Sequence, residues 1–233
     1  MKAFLLAAGL GTRMGPLTRN RPKCLLPIAG KPLLGRWFQQ LADSGVESVM
    51  VNTHHLADQV RDYVAASRPP LEVVLRHEEQ LLGSGGTLAA GRRFVDDQDA
   101  FLVVYADNAS TVDLAGLERA HRPGDAATLG VFRVPNPRAC GVVEVDAAGR
   151  VVDFVEKPQR PGSDLAWAGL ALGCPELFDV IPDRRPCDLG RDVLPRLVGR
   201  MGAVEMNGYH LDIGTPERYR RICEDFERMA KSA

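Results

Sequence analysis

Residues 2–15 read KAFLLAAGLGTRMG. A compact apolar run, residues 2–7, stops at a glycine-rich segment in which Gly9 and Gly11 precede Thr12 and Arg13. Such a run is expected to form a buried strand. Where a strand ends in glycine-rich sequence, backbone N–H groups can cradle phosphate oxygens. Two familiar phosphate patterns are absent from it. There is no GxxxxGK(S/T) string, and Met14 stands where the dinucleotide fingerprint needs its third glycine. The distinctive addition is cationic: Arg13 lies in the loop and Lys23 follows ten residues later in RPKCLLP. A planar guanidinium and a compact ammonium beside a glycine loop suit a polyphosphate.

Outward from this stretch, the first half alternates strands and helices. Helical spacing marks 33–44, with Leu33, Leu34, Trp37 and Leu41 on one face. Further helices are expected at 56–66, 87–95 and 114–121, and strands at 47–52, 72–76 and 101–105. Alternation of this kind implies crossover connections and a mainly parallel sheet. After about residue 126 the pattern changes to closely spaced strands at 127–134, 140–145 and 151–156, the last two joined by Ala147-Ala148-Gly149. Helices are expected again at 191–200 and 215–229, the second with Thr215 as N-cap and Pro216 at its first position. Trp37, Phe38 and Tyr63 read as core, His54 and His55 as leading into the following helix, and Asp113 and Asp188 as caps.

The composition is that of an ordinary globular protein. The 233 residues carry 29 Lys+Arg against 30 Asp+Glu, so no field attracts nucleic acid or an anionic membrane. No apolar run approaches the roughly 18 residues of a membrane span. The five Cys residues, 24, 140, 174, 187 and 223, are scattered without CxxC spacing. They read as free thiols of a cytoplasmic protein, with neither a disulfide framework nor a zinc site.

The string GxGTRMxPLT…PKCLLPIAGKPLL, beginning at Gly9, resembles the signature of the sugar-phosphate nucleotidyltransferases. That resemblance covers nearly the whole chain. It implies a Rossmann-like α/β/α sandwich with a mainly parallel central sheet and an inserted mixed β layer that binds the acceptor. A single domain over 1–233 is expected, with 1–126 mainly nucleotide-binding, 127–212 mainly acceptor-binding and 213–233 a C-terminal helix. From the chain's end at Ala233, no long C-terminal β-helix of the kind some relatives carry is expected. The implied reaction joins an NTP to a sugar 1-phosphate, with Mg²⁺, releasing pyrophosphate. The resemblance places Leu6, Ala8, Gly9, Gly11, Thr12 and Arg13 around the nucleotide, and Arg13 and Lys23 as catalytic neutralisers of charge. Gly15 departs from the larger residue common in the family and is read as a local change in the loop.

Residues 77–87, HEEQLLGSGGT, resemble the family's nucleobase segment, with Gly83 and Ser84 in the pocket. Glu78 falls where uridylyl-transferring relatives carry Gln. A carboxylate only accepts hydrogen bonds. Guanine offers two adjacent donors, so Glu78 leans towards guanine, with Glu79 or Gln80 as alternative readers. Asp107 and Asp212 are the implied magnesium ligands, Asp107 also touching the nucleotide. Asp107 follows a buried strand, at the ligand-binding edge of an α/β sheet, and Ala106 replaces the family's Gly. For the sugar phosphate the resemblance implies Gly141, Glu156 and Lys157. Trp167 stands where relatives carry Asn, and could stack on the sugar or pack in the core. The expected activity is therefore guanylyl transfer from GTP to a hexose or heptose 1-phosphate. Alternatives are a uridylyl- or thymidylyltransferase, a choline-phosphate cytidylyltransferase, or a non-catalytic nucleotide-sugar sensor. Oligomeric state is left open, a homodimer included.

Overall fold

The computed structural model describes residues 1–232. In chain order the elements are β1 (Lys2–Leu6), β2 (Pro27–Ile28), β3 (Lys31–Pro32), α1 (Leu33–Asp43), β4 (Ser48–Thr53), α2 (Ala57–Ser67), β5 (Glu72–His77), α3 (Ser84–Gly91) and β6 (Phe101–Tyr105). They continue with β7 (Asn108–Ser110), α4 (Ala115–Ala120), β8 (Ala127–Arg133), β9 (Gly141–Val145), β10 (Val151–Glu156), β11 (Leu165–Gly173), β12 (Met201–Glu205), β13 (His210–Asp212) and α5 (Pro216–Ser232). The fold is α/β, built on a mixed sheet. The expected helix over 213–233 is present as α5; its last expected residue, Ala233, lies outside the described residues.

The chain packs as two compact units. One takes Leu5–Gln80, Tyr105–Val112 and the chain from Gly208 on. In it, α1 buries Leu33, Leu34, Trp37, Phe38 and Leu41, the stripe that helical spacing predicts. β4 is buried along its whole length and pairs in parallel with β5. A strand covered on both faces reads as a continuous apolar run, which is why VMV was legible. The Trp37 indole N–H donates to the Asn108 carbonyl at 2.8 Å and ties α1 to β7. β7 pairs antiparallel with β13, and the Tyr219 hydroxyl of α5 donates to the Pro27 carbonyl at 2.6 Å. Thr215 caps α5, its hydroxyl accepting the Arg218 N–H at 3.3 Å.

One expectation in this unit is corrected. Tyr63 is half-buried rather than core: α2 buries only Val60, and the phenol lies over Gly35, where a Cβ would meet its hydroxyl at 2.1 Å. His54 and His55 lead into α2, as expected. Leu56 precedes that helix at φ 54°, while His54 Nδ1 lies 2.7 Å from the Glu78 carbonyl and His55 Nε2 3.3 Å from the Thr18 carbonyl.

The other unit takes Met1–Phe4, Leu81–Val104 and Asp113–Asn207. Here β11 pairs antiparallel with β6, β8 and β9; β10 pairs antiparallel with β9, and β12 parallel with β8. The expected β9–β10 hairpin forms, with Gly141 opposite Glu156 and Gly149 donating to the Asp146 carbonyl at 2.9 Å in the turn. Phe101 packs edge-on to Phe4 at 5.6 Å between ring centroids and against Phe178 at 5.2 Å.

Neither β11 nor β12 is among the expected strands. The β11 run LAWAGLALG has no polar alternation, and its register shifts between Trp167 and Leu170, where Gly169 has φ 71°. The helix expected at 191–200 is not α-helical. A π turn, Leu189–Val193, passes into a 3-10 turn, Leu194–Leu197, because Pro195 has no N–H to donate. The helix expected at 87–95 starts earlier, at Ser84, and tightens into a 3-10 turn from Arg92.

Replacing Phe101 by Ala should lower unfolding free energy by about 3–5 kcal/mol, the usual cost of emptying a fully buried aromatic site. Urea titration followed by far-UV circular dichroism checks this; a loss below about 1 kcal/mol contradicts the packing described.

Candidate active site

The glycine loop leaves β1 and turns back on itself. Leu6 accepts the Ala106 N–H at 3.0 Å through its carbonyl, and Ala8 is buried. Gly9, Thr12 and Arg13 are exposed, with Gly11 half-buried. Met14, fully buried, anchors the turn, and the Thr18 hydroxyl donates to the Gly11 carbonyl at 2.9 Å. Gly15 has φ 57° and ψ −125°, a conformation that a residue with a Cβ does not adopt comfortably. The departure at that position is thus tied to the backbone path of this loop.

Lys23 meets Asp107 across 84 positions of sequence. Its ammonium lies 2.7 Å from Asp107 Oδ2, with Lys23 only 8% exposed. Asp107 follows β6, and its carbonyl accepts the Ile213 N–H at 2.9 Å. Asp212 pairs with Asn108 on the β7–β13 ladder, one register step from Asp107. The Asp212 carboxylate is paired with Arg218, which sequence reasoning missed although it stands six residues downstream. Arg13 approaches the same place. A Cβ on Gly214 would stand 2.2 Å from Asp212 Oδ1 and 3.4 Å from an Arg13 guanidinium nitrogen. Next to Lys23, the buried Cys24 thiol is pushed up to about 12 by desolvation, against a smaller opposing backbone hydrogen bond.

Two carboxylates carried on facing strands are a hard oxygen donor set that fits Mg²⁺. Asp107 Oδ1 has no hydrogen-bond partner among the described residues. No cluster of three or more His, Cys, Asp or Glu able to hold a metal occurs among the described residues, so phosphate oxygens and water would complete such a shell.

Glu78 is 3% exposed at the end of β5. Its Oε1 accepts from Asn52 Nδ2 at 2.9 Å, and Asn52 Oδ1 accepts the Ala7 N–H at 2.7 Å. Glu79 and Gln80 are exposed. All of these residues belong to the unit that holds Lys23.

The remaining candidates belong to the other unit. Gly83 and Gly85 press against Cys187, whose carbonyl accepts the N–H of Gly85 at 2.9 Å and of Gly86 at 3.1 Å. The glycines thus let one backbone touch another, and they satisfy two orphan donors of the first turn of α3. The Ser84 hydroxyl lies 3.2 Å from Asp188 Oδ2 and accepts the Leu189 N–H at 2.7 Å. Asp188, read from sequence as a cap, also accepts the Arg191 N–H at 2.8 Å.

Gly141 sits where a Cβ would meet Glu156 Oε2 at 2.8 Å. Glu156 is half-buried, and its carboxyl is raised above the ordinary range, first by burial and partly offset by Lys157. Lys157 holds a left-handed backbone at φ 53°, a strained conformation for a residue with a Cβ, and its ammonium lies 3.7 Å from Glu156 Oε1. Arg138 and Arg160 join Lys157 around an open cavity of about 520 Å³. The spacing EKPQR was the available signal for Arg160. Trp167 is half-buried, its indole N–H donating to the Leu170 carbonyl at 2.9 Å and its ring edge-on to Phe154 at 6.1 Å. A Cβ on Gly190 would meet both that ring, at 3.3 Å, and Glu156 Oε2, at 3.0 Å.

Residues 2–228 match the family model described as Nucleotidyl transferase. The chain belongs to the nucleotidyl transferase family. Among relatives of this nucleotidyl transferase chain, the mannose-1-phosphate guanylyltransferase of Mycobacterium tuberculosis is 36% identical over 97% of this chain and 64% of its own length. The mannose-1-phosphate guanylyltransferase catalytic subunit beta of Xenopus tropicalis is 31% identical over 94% of this chain and 62% of its own. The chain therefore spans less than two thirds of these curated relatives. A solved structure, HddC of Yersinia pseudotuberculosis, is 26% identical with a TM-score of 0.82, covering 97% of this chain and 99% of that one. HddC has also been solved complexed with GMP-PN.

Gly83→Ala is expected to destabilise the protein by about 1–3 kcal/mol through overpacking and an adverse φ. The Cβ would stand 2.4 Å from the Cys187 carbonyl oxygen, at φ 75°. Thermal melting tests it; an unchanged midpoint contradicts the close approach.

Proposed function

We propose that this chain transfers GMP from GTP to a sugar 1-phosphate, a hexose or heptose, releasing pyrophosphate and forming a GDP-sugar. The supporting observation is the gathering of Arg13, Lys23, Asp107 and Asp212 beside the glycine loop within one unit. The guanylyltransferase names of the M. tuberculosis and X. tropicalis relatives support the nucleotide, as does the GMP-PN complex of HddC. The whole chain acts as one transferase domain in this reading, and GTP as substrate suits a cytoplasmic enzyme.

An oxygen of the sugar 1-phosphate attacks the α-phosphorus of GTP in line, and pyrophosphate leaves. The nucleophile is already anionic, so no general base is required. The protein's task is to hold two polyanions that repel each other and to stabilise the charge of the transition state. Leu6, Ala8, Gly9, Gly11 and Thr12 present backbone and hydroxyl groups to the triphosphate. Arg13 and Lys23 neutralise its oxygens. Held by Asp107 and Asp212, Mg²⁺ would supply further positive charge to the phosphates. Glu78 reads guanine, and Gly83 and Ser84 are further nucleotide-binding candidates. Gly141, Glu156, Lys157 and Trp167 take the acceptor: Glu156 accepts from sugar hydroxyls, Lys157 pairs with the phosphate, and Trp167 offers an apolar ring face.

Lys23→Ala and Asp107→Asn should each cut kcat by about 10²–10³, the effect of losing one electrostatic stabiliser. Each variant also breaks the part-buried Lys23–Asp107 ion pair, so turnover is to be compared on samples whose melting shows a folded chain. Near-native kcat in either rejects the role given to that residue. A matrix of five NTPs against a panel of sugar 1-phosphates, read by pyrophosphate release, should give its highest kcat/KM with GTP. Equal rates across bases, or release with no sugar phosphate present, contradicts the reading.

A further inference from the structure

Asn52 lies near the C-terminal end of β4, 5% exposed, between the start of the glycine loop and Glu78. An amide has an acceptor end and a donor end. The Ala7 N–H can only donate, and it holds Asn52 Oδ1 at 2.7 Å. The NH₂ end therefore faces residue 78, where it donates to Glu78 Oε1 at 2.9 Å. The backbone at 78 is fixed as well: its N–H donates to the Thr53 carbonyl at 2.8 Å, and its carbonyl meets His54 Nδ1 at 2.7 Å. Hydrogen bonds thus set both the orientation of the Asn52 amide and the backbone at 78.

We infer that Asn52 is a positioning residue that sets the hydrogen-bond polarity of position 78 and thereby the choice of nucleobase. The inference rests on the reading of Glu78 as the guanine-contacting residue. Because Asn52 presents a donor, position 78 must answer it with an acceptor. A carboxylate has about four acceptor positions, so it answers Asn52 and still presents only acceptors to the N1–H and N2 amine of guanine. An amide at 78 has no such latitude. Its single oxygen is drawn to Asn52, and its NH₂ is turned towards the base. That arrangement suits uracil and thymine, whose N3–H is flanked by carbonyl acceptors. One buried asparagine thus makes Glu a guanine reader and Gln a pyrimidine reader at the same position.

The test compares kcat/KM for GTP and UTP in the native chain, in Glu78→Gln, and in the double variant Asn52→Asp/Glu78→Gln. In the double variant the carboxylate at 52 still accepts from Ala7. It now also accepts from the amide at 78, which turns that amide's oxygen towards the base. Glu78→Gln should lower the GTP:UTP ratio by about 10- to 100-fold, the discrimination expected of one well-placed pair of base contacts. Adding Asn52→Asp should recover about tenfold of it, short of full recovery because one oxygen replaces two. A shift in the single variant that the second substitution does not reverse overturns the role of Asn52 and leaves Glu78 standing. No shift in the single variant removes the reading of Glu78 and the inference with it. Should the double variant fail to fold, Asn52→Ser in the Glu78→Gln background replaces it. Serine accepts or donates equally well, so the ratio should rise; an unmoved ratio overturns the inference.

Discussion

An ammonium withdrawn from water persists only beside an opposite charge, and Lys23 is such an ammonium. Asp107 answers it from the far side of the sequence. That requirement fixes how the segment after the glycine loop lies against the turn between Tyr105 and β7. It also orders the β7–β13 ladder, because the Asp107 carbonyl receives Ile213 and so aligns β13, which carries Asp212. Arg218 pairs with the Asp212 carboxylate, and Arg13 lies beside Gly214, two residues on. A single electrostatic demand thereby brings together residues from four stretches of chain, the kind of preorganised charge that phosphate chemistry uses.

Glycine serves two different ends in the two glycine-rich stretches. At Gly15 the backbone itself needs a residue without a side chain. At Gly83 and Gly85 there is also a need for space, because Cys187 lies against them, its carbonyl receiving the N–H groups of Gly85 and Gly86. Composition alone treats the stretches alike. A glycine required by backbone conformation and one required by a close neighbour give the same string, and only the structure distinguishes them.

Much of the fold was legible because it depends on local periodicity. The stripe of α1, the buried run of β4 and the β9–β10 hairpin each follow from the residues within them. β11 was illegible for the opposite reason. Its apolar run is flanked by strands on both sides and broken by a bulge, so neither alternation nor length marks it. Residues 191–200 carry helical spacing, but Pro195 removes a donor and the backbone loosens into π and 3-10 turns. At the candidate site, residue types that suit phosphate were visible, and the structure pairs Lys23 with Asp107, a contact that the string does not announce. The partners of those residues were not visible. Asn52, Arg218 and Asp188 are ordinary polar residues until the fold sets them against Glu78, Asp212 and Ser84.

Cys24 illustrates how burial can protect chemistry next door. An adjacent cation would ordinarily favour the thiolate, the form that attacks peroxides and disulfides. Here the sulfur is enclosed and keeps its proton far above physiological pH. Oxidants that reach exposed thiols therefore meet, beside Lys23, a buried sulfur that keeps its proton.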